Sequence, residues 1–237
     1  MMGFSLAYVI ACYFGPRRVF DKQYIINPYD YIDWQLASIA TYSLPAVDRF
    51  VFVANGDYPK HLMPLDQYLP PRNLAGVPID VLQRPNHGMS YGAWNHAIET
   101  YGDQYDFYFL TEDDYVAVQN PLIPFSTTLK SDVGYVCSLY QWGHAAISNG
   151  LVRTKAVFDA GGIPFSLSSD YGKNEQQGQV AMSKVIEEAG WKVVGLDKRY
   201  SIPFLEANGG IIEYGNPKGS RVLSPVKLER ESIDTSF

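Results

Sequence analysis

Residues Phe107 to Val116 read Phe-Tyr-Phe-Leu-Thr-Glu-Asp-Asp-Tyr-Val, an aromatic run that leads directly into three consecutive carboxylates. The apolar part predicts a buried strand over Tyr105–Leu110. Three adjacent negative charges repel one another, so beside a buried strand they need a cation or a set of hydrogen-bond donors. Oxygen-only ligands favour a hard ion such as Mg²⁺ or Mn²⁺. The alternative is a solvated acidic turn, and the position after an apolar strand favours the metal.

On both sides of this run, short apolar segments alternate with helical patterns. In the first half the further predicted strands and helices are, in chain order, Leu6–Phe14, Tyr31–Tyr42, Arg49–Ala54, Ile79–Leu82 and Tyr91–Thr100. This alternation predicts an α/β fold with a mostly parallel central sheet. In open sheets of this kind, ligands bind beyond the carboxyl ends of the strands. The acidic residues after Leu110 lie at such an end.

The second half keeps the alternation less strictly. It predicts, in order, a strand over Val133–Tyr140, a polar stretch around His144–Asn149, a helix from about Thr154 to the Gly161-Gly162 pair, a polar loop over Ser166–Lys173, a helix over Glu175–Ala189 and a strand over Trp191–Leu196. Residues 208–237 are rich in Gly, Pro and Ser and are predicted to form a surface tail. Since no internal repeat and no linker is evident, we predict a single domain over residues 1–237.

Composition excludes several classes of protein. The 237 residues are 46% hydrophobic and 19% charged, which is enough apolar material for a full core. A net charge of −6 argues against a general nucleic-acid binder, so we expect no nucleic-acid partner. The two cysteines, Cys12 and Cys137, lie in apolar runs and form no metal-type pair.

The longest apolar stretch, Phe4 to Phe14, has about half of the roughly 20 residues that a membrane-spanning helix needs. The nearby basic residues follow it rather than precede it, unlike those of a signal peptide. The sequence also contains no Asn-x-Ser/Thr acceptor for glycosylation. We therefore expect a cytoplasmic protein with no membrane span.

Two further segments contain residue types that suit ligand binding. The run from Arg84 to Ile98 is a strand exit followed by a helix start, where Gly88 permits close backbone approach and the helix amides suit a phosphate or a polar ring. The alternative is a glycine that only makes a turn. Glu175 is predicted at a helix start, where the helix dipole stabilises its charge. It is either a simple helix-start residue or a catalytic base.

Taken in chain order, these segments resemble the GT-A fold glycosyltransferases, particularly the large inverting family that includes bacterial polysaccharide synthases. The similarity covers about residues 5 to 200. The motifs are an Asp-bearing turn after the second strand, an Arg-x-Asn-x-Gly segment at Arg84, a DXD-type acidic triplet at Glu112, a Ser-Asn-Gly segment at Ser148 that leads to Arg153 and Gly161-Gly162, and an acidic helix start ahead of Ala-Gly-Trp-Lys-Val. The resemblance implies a Rossmann-like GT-A domain, with its nucleotide-binding half over about 1–116 and its acceptor-binding half over about 117–207.

The resemblance also implies which residues bind the nucleotide. Asp57 and Arg84 match the positions that hold the base, and Asn86 and Gly88 lie beside them. Phe14, at the end of the first strand, is the expected stacking neighbour of the base.

The remaining roles concern the metal and the proton. In the DXD-type motif, Glu112 matches the acid that meets the ribose or the metal, Asp114 matches the metal ligand, and Asp113 lies between them as part of the nucleotide-sugar site. The expected cofactor is Mn²⁺ or Mg²⁺. The general base of the family matches Glu175, with Asp170 as the reserve candidate.

These matches imply a metal-dependent, inverting glycosyltransferase that moves a sugar from a nucleotide-diphosphate sugar to a glycan, a glycoconjugate or another hydroxyl acceptor. The Gln-x-x-Arg-Trp segment of processive synthases is missing, so a membrane-embedded polymer synthase is not expected. Two alternatives stay open. One is a sugar-phosphate nucleotidyltransferase, and the other is a non-catalytic module that binds a nucleotide or a glycan.

Overall fold

A computed structural model describes residues 4–14, 28–42, 46–58, 62–69, 73–74, 76–168, 171–197, 204–206 and 210–211. The strands are β1 (Leu6–Tyr13), β2 (Arg49–Asn55), β3 (Asn73–Leu74), β4 (Val77–Arg84), β5 (Phe107–Glu112), β6 (Tyr115–Ala117), β7 (Val133–Gln141), β8 (His144–Arg153), β9 (Lys192–Gly195), β10 (Phe204–Glu206) and β11 (Gly210–Ile211). The helices are α1 (Pro28–Tyr42), α2 (Leu65–Tyr68), α3 (Met89–Tyr101), α4 (Leu122–Thr128), α5 (Thr154–Asp159), α6 (Tyr171–Asn174) and α7 (Ala181–Glu188).

Eight strands form the central sheet in the order β3-β4-β2-β1-β5-β8-β7-β9. The four strands β4, β2, β1 and β5 run parallel, and β9 runs parallel to β7. β8 pairs antiparallel with both β5 and β7. The predicted α/β fold with a mostly parallel sheet is therefore confirmed. A second, three-stranded sheet joins β6, β10 and β11.

Apolar side chains cover both faces of the sheet, as expected for parallel strands buried between helices. Alternate residues of β1 belong to different layers, with Tyr8 and Ile10 on one face and Ala7 and Val9 on the other. Helices α1 and α4 pack on the first face, and α3, α5 and α7 pack on the second. Among the described residues, no helix combines the length and the apolar character needed to cross a bilayer.

Two predictions for the strands near the acidic residues were inaccurate. The fifth strand covers Phe107–Glu112 rather than Tyr105–Leu110, because Glu112 still pairs with Ala11 of β1. The polar stretch predicted around His144–Asn149 belongs to β8. Its polar residues are tolerated because the strand is hydrogen-bonded to neighbours on both sides and its buried side chains find polar partners.

The helix predicted from Glu175 begins earlier, since α6 starts at Tyr171 inside the predicted polar loop. Between α6 and α7, residues Glu175–Val180 form a π-helical segment. Gly178 lies in this segment, and a Cβ there would fall 2.5 Å from the ring of Tyr91. The tail predicted from Asn208 includes β11, and its other residues lie outside the described ones. The single domain stays a prediction.

Candidate functional site

The three consecutive acids form a tight turn at the carboxyl edge of the parallel strands. Glu112 is the last residue of β5, and Asp113 and Asp114 make the turn into β6. We call Glu112, Asp113 and Asp114 the acidic turn. The backbone amide of Asp113 donates to the carbonyl of Ala11 at 3.0 Å, which attaches the turn to the end of β1.

The three carboxylates of the acidic turn have different surroundings. Asp113 is buried, with 3% of its surface exposed, and its Oδ2 accepts the backbone N–H of Tyr13 at 3.1 Å. Glu112 and Asp114 are partly exposed. The hydroxyl of Ser90, in the first turn of α3, donates to Glu112 Oε1. Asp113 therefore holds the β1 end in place, and Glu112 and Asp114 are the acids of the turn that reach the surface.

A buried polar network lies behind the acidic turn and joins α3 to β8. The hydroxyls of Tyr91 and Ser148 share a hydrogen bond, and the amide of Asn149 donates to Thr111 Oγ1 at 3.2 Å. Burial raises the pKa of Tyr135, whose hydroxyl donates to the Ser148 carbonyl. The Ser-Asn-Gly motif thus has a structural role next to the end of β5.

The residues predicted to hold a nucleotide base come together at the adjacent ends of β2 and β4. Arg84 Nη1 donates to Asn55 Oδ1 at 2.8 Å, and the Gly56 amide donates to the Arg84 carbonyl at 2.8 Å. A Cβ on Gly56 would lie 3.3 Å from the Cβ of Asn86. Asp57 follows directly and is exposed. Asn86 Oδ1 is buried and has no hydrogen-bond partner among the described residues.

Arg84 is held by packing as well as by its hydrogen bond. Its guanidinium lies over the ring of Phe165, 5.6 Å from the centroid. A Cβ on Gly92 would lie 2.6 and 2.7 Å from the two terminal nitrogens of Arg84. Burial lowers the pKa of the Arg84 guanidinium. These contacts hold the guanidinium of Arg84 in one orientation, and its partial burial means that water screens the charge only in part.

Two predicted nucleotide contacts look different in the structure. A Cβ on Gly88, which has φ 75°, would fall 2.4 Å from Phe165, so an aromatic side chain already makes the close approach predicted for a ligand. Phe14 is 3% exposed, and its ring packs 4.8 Å from Tyr58 and 5.7 Å from Tyr29. Its ring belongs to the core, so base stacking on Phe14 has no support here. Half-buried Tyr58, which follows Asp57, is the ring closer to the surface.

The structure describes one of the two candidates for the general base, Glu175. Glu175 is exposed and begins the π-helical segment, so it lies inside a helical stretch rather than at its first residue. Gly178 of the same segment contacts Tyr91. Tyr91 directly follows Ser90, whose hydroxyl donates to Glu112. Gln179 anchors the segment by donating to the carbonyls of Ala145 and Ala146. Asp170 lies outside the described residues.

A cavity of about 920 Å³ opens at the opposite edge of the sheet, lined by residues that include Phe107, Arg153, Phe158 and Trp191. Phe107 begins β5 and Glu112 ends it, so the cavity lies about 17 Å from the acidic turn along the strand. None of the predicted site residues lines it. The chemistry of the polar groups, rather than cavity size, therefore identifies the candidate site.

Solved structures of other proteins have this architecture. The mannosyltransferase PcManGT from Pyrobaculum calidifontis, in complex with GDP-Man and Mn²⁺, matches with a TM-score of 0.57 and 10% identity, over 82% of this chain and 55% of its own. A cytidylyltransferase from Leptospira borgpetersenii matches with a TM-score of 0.50 and 9% identity, over 86% and 82% of the two chains. This chain has the GT-A fold, as predicted.

A further match, with a TM-score of 0.45, is the catalytic domain of Drosophila β1,4-galactosyltransferase 7 in complex with xylobiose, at 11% identity over 82% of this chain and 66% of that one. The GT-A chain described here thus spans about half the length of the mannosyltransferase and just under two thirds of this domain. Identities this low show the fold alone. No family model and no curated protein matches the sequence.

The donor set of the acidic turn fits a hard cation that is completed by other ligands. Among the described residues, no three His, Cys, Asp or Glu side chains are grouped as a metal site. Glu112 and Asp114 offer carboxylate oxygens only, and Mg²⁺ typically takes one or two carboxylates together with phosphates and waters. Such an ion would need phosphate oxygens and water to complete its shell.

Two residues that support this site were not predicted from the sequence. Ser90 and Gln35 contact the acidic turn directly. Gln35 had a detectable signal, since it lies three residues after Ile32 and four before Ile39, on the apolar stripe of α1. Ser90 had none, because its contact with Glu112 depends on how α3 meets β5.

Proposed function

We propose that this chain is a metal-dependent, inverting glycosyltransferase that moves a sugar from a nucleotide-sugar donor to a hydroxyl of a glycan or glycoconjugate. The observation that carries the proposal is the acidic turn at the carboxyl edge of β5, beside a polar group at the ends of β2 and β4. The GT-A fold supports it, as does the GDP-Man and Mn²⁺ complex of the mannosyltransferase with a similar fold.

The spacing of the two groups suits one extended ligand. β1 separates β2 from β5, so the Asp57 and Arg84 region lies two to three strand spacings, about 10 to 14 Å, from the acidic turn. A nucleoside diphosphate can bridge this distance with its base at Arg84 and its phosphates at Asp114. The buried Oδ1 of Asn86 supports a base or ribose at that end, because an unpaired buried acceptor costs about 1–3 kcal/mol until a donor reaches it.

Asp114 and Glu112 would hold Mn²⁺ or Mg²⁺. When bound, the ion would neutralise the charge that develops on the departing diphosphate. Ser90 would keep Glu112 in one orientation through its hydrogen bond. Asp113 would not be one of the metal ligands, because it is buried and its Oδ2 accepts the N–H of Tyr13 at the end of β1.

On the acceptor side, a carboxylate takes the proton of the attacking hydroxyl. In our proposal this is Glu175, with Asp170 as the reserve. The bond between the acceptor oxygen and the anomeric carbon forms as the bond from that carbon to the diphosphate oxygen breaks, and the proton moves to the carboxylate. A single displacement of this kind inverts the anomeric configuration.

A nucleotidyltransferase that makes nucleotide-sugars is the second candidate. The cytidylyltransferase match covers 86% of this chain and 82% of its own, whereas the mannosyltransferase match covers 55% of the mannosyltransferase. This activity would release pyrophosphate from a nucleoside triphosphate, whereas a glycosyltransferase would release a nucleoside diphosphate from a nucleotide-sugar.

The first test is a thermal-shift panel of UDP-, GDP-, TDP- and CMP-sugars and of nucleoside triphosphates, with and without Mn²⁺, since a ligand that binds only the folded state raises the Tm by mass action. We expect a Mn²⁺-dependent shift with one nucleotide class, and its loss in Asp114→Asn. Asp103→Asn is the matched control, because Asp103 is an exposed acid at the opposite edge. A shift with nucleoside triphosphates and none with the sugars would favour the nucleotidyltransferase, and no shift with any nucleotide would contradict both.

A further inference from the structure

The side-chain amide of Gln35, in α1, reaches the acidic turn from within the core. Gln35 is completely buried, with 0% of its surface exposed. Its Nε2 lies 3.1 Å from the Glu112 carbonyl oxygen, 3.0 Å from that of Asp113 and 2.8 Å from that of Tyr115. One nitrogen thus donates to two carbonyls of the acidic turn and to the carbonyl of the residue that follows it.

These contacts also decide which way the amide is turned. Backbone carbonyl oxygens can only accept hydrogen bonds, so the nitrogen rather than the oxygen of Gln35 must face them. The two N–H groups are shared among the three acceptors. Gln35 Oε1 is buried and has no hydrogen-bond partner among the described residues. An unpaired buried acceptor lowers stability, so what Gln35 contributes lies in the hydrogen bonds that its nitrogen donates to the carbonyls of residues 112, 113 and 115.

We infer that Gln35 is a positioning residue that fixes the backbone of the acidic turn and thereby the directions of the Glu112 and Asp114 carboxylates. This inference rests on the proposed function, since it concerns the acids proposed to bind the metal. The carbonyls of Glu112, Asp113 and Tyr115 all accept from the Gln35 nitrogen, so the peptide planes around Asp113 are fixed. These planes set the directions in which the neighbouring side chains leave the backbone.

The amide of Gln35 is neutral, which suits a residue beside a cation site. A Lys or Arg at this position could also bind three carbonyls, but its charge would lie beside the acids and compete with a cation. A glutamine orders the same backbone and leaves the negative charge of the turn available for a divalent ion. An apolar residue would leave the three carbonyls to compete for other donors.

Ser38 provides a matched control on the same face of α1. It is buried, and its hydroxyl donates to the Ala117 carbonyl at 2.9 Å, at the far end of β6. Ser38→Ala therefore removes a buried side-chain-to-backbone hydrogen bond between α1 and β6, outside the acidic turn. A general loosening of α1 against β6 would affect both variants alike.

The experiment compares wild type, Gln35→Met and Ser38→Ala in two measurements made well below the Tm. The first is hydrogen exchange of a peptide that covers residues 112–117. The second is the affinity for the nucleotide-sugar of the panel, measured with and without Mn²⁺. We expect Gln35→Met to speed exchange in this peptide and to weaken Mn²⁺-dependent binding at least tenfold, with metal-free nucleotide binding unchanged. Ser38→Ala should retain the Mn²⁺-dependent affinity.

The outcomes separate this inference from the proposed function. If Gln35→Met binds nucleotide and Mn²⁺ as wild type does, or loses no more than Ser38→Ala, the inference is overturned and the proposed function stands. If wild type binds no nucleotide and no Mn²⁺, the proposed function fails, and the exchange data alone decide whether Gln35 orders the turn. Should Gln35→Met not fold, Gln35→Asn, which is one methylene too short to reach all three carbonyls, replaces it in both measurements.

Discussion

Replacing Asp113 by alanine should destabilise the fold and leave the metal ligands in place. Its carboxylate is buried and accepts the N–H of Tyr13 at 3.1 Å, at the last residue of β1. A hydrogen bond to a charged group contributes roughly 1.5–3 kcal/mol. We therefore expect Asp113→Ala to lower the free energy of unfolding by about 2 kcal/mol. For a protein of this size that is a Tm decrease of about 4–8 °C.

Asp114 should behave in the opposite way. It is partly exposed, and Asp114→Asn keeps the shape of the side chain, so we expect a change of less than about 1 kcal/mol in stability. Urea unfolding without ligands measures the stability of both variants. A nucleotide titration with and without Mn²⁺ measures how well each variant binds the metal and the nucleotide. If Asp113→Ala kept the wild-type stability and abolished binding, while Asp114→Asn unfolded early and bound normally, the two acids would have been assigned the wrong roles.

Three further predictions concern Glu175, Trp142 and Tyr58. Glu175→Gln should keep donor affinity and lose turnover in a single-turnover assay, and an unchanged rate would transfer the role of base to Asp170. Trp142 has φ 54° and precedes Gly143 at φ 81° in the β7–β8 hairpin, so Trp142→Asn should raise the free energy of unfolding by up to about 1 kcal/mol, because Asn-Gly suits a type I′ turn; a lower Tm would contradict this. Burial raises the pKa of Tyr58 to about 12, so its contribution to stability is complete below pH ~10 and is lost as the pH rises to about 12; Tyr58→Phe should flatten the alkaline loss of stability in that window, and an identical profile would argue against a buried hydroxyl.

Local patterns were enough to predict much of the sheet. β1 and β2 are continuous apolar runs, so their position in the centre follows from the need to bury both faces. The acidic turn was also predictable, because Glu112 to Asp114 directly follow a run that cannot be exposed. These features depend on residues that are adjacent in the sequence, so the sequence alone is enough to predict them.

The features that were missed depend on contacts between distant residues. Ser148 and Asn149 look like a polar loop until Tyr91 and Thr111 are seen to bind them inside the sheet. Phe14 matches a stacking position by its place at the end of a strand, yet Tyr29 and Tyr58 enclose it. No periodicity in the sequence reports such partners.

Gly88 and the helix start at Tyr171 show the same limit. Gly88, at a strand-to-helix turn, was predicted to leave space for a ligand. That space is occupied by Phe165, which lies more than seventy residues later in the chain. No residue pattern in the sequence predicts the π-helical segment after α6. Gly178 suits this segment because a residue with a Cβ would collide with the ring of Tyr91.

The small number of surface carboxylates in the acidic turn has a consequence for how metal and donor would bind. With Asp113 directed at β1, the turn provides Glu112 and Asp114 alone, so a divalent ion held there would depend on phosphate oxygens for much of its shell. Metal and nucleotide should then raise each other's affinity by the same factor, as linkage requires. Calorimetry of Mn²⁺ with and without nucleoside diphosphate, and of the nucleotide with and without Mn²⁺, measures both sides of this cycle. Tight Mn²⁺ binding without nucleotide would contradict this dependence on phosphate oxygens.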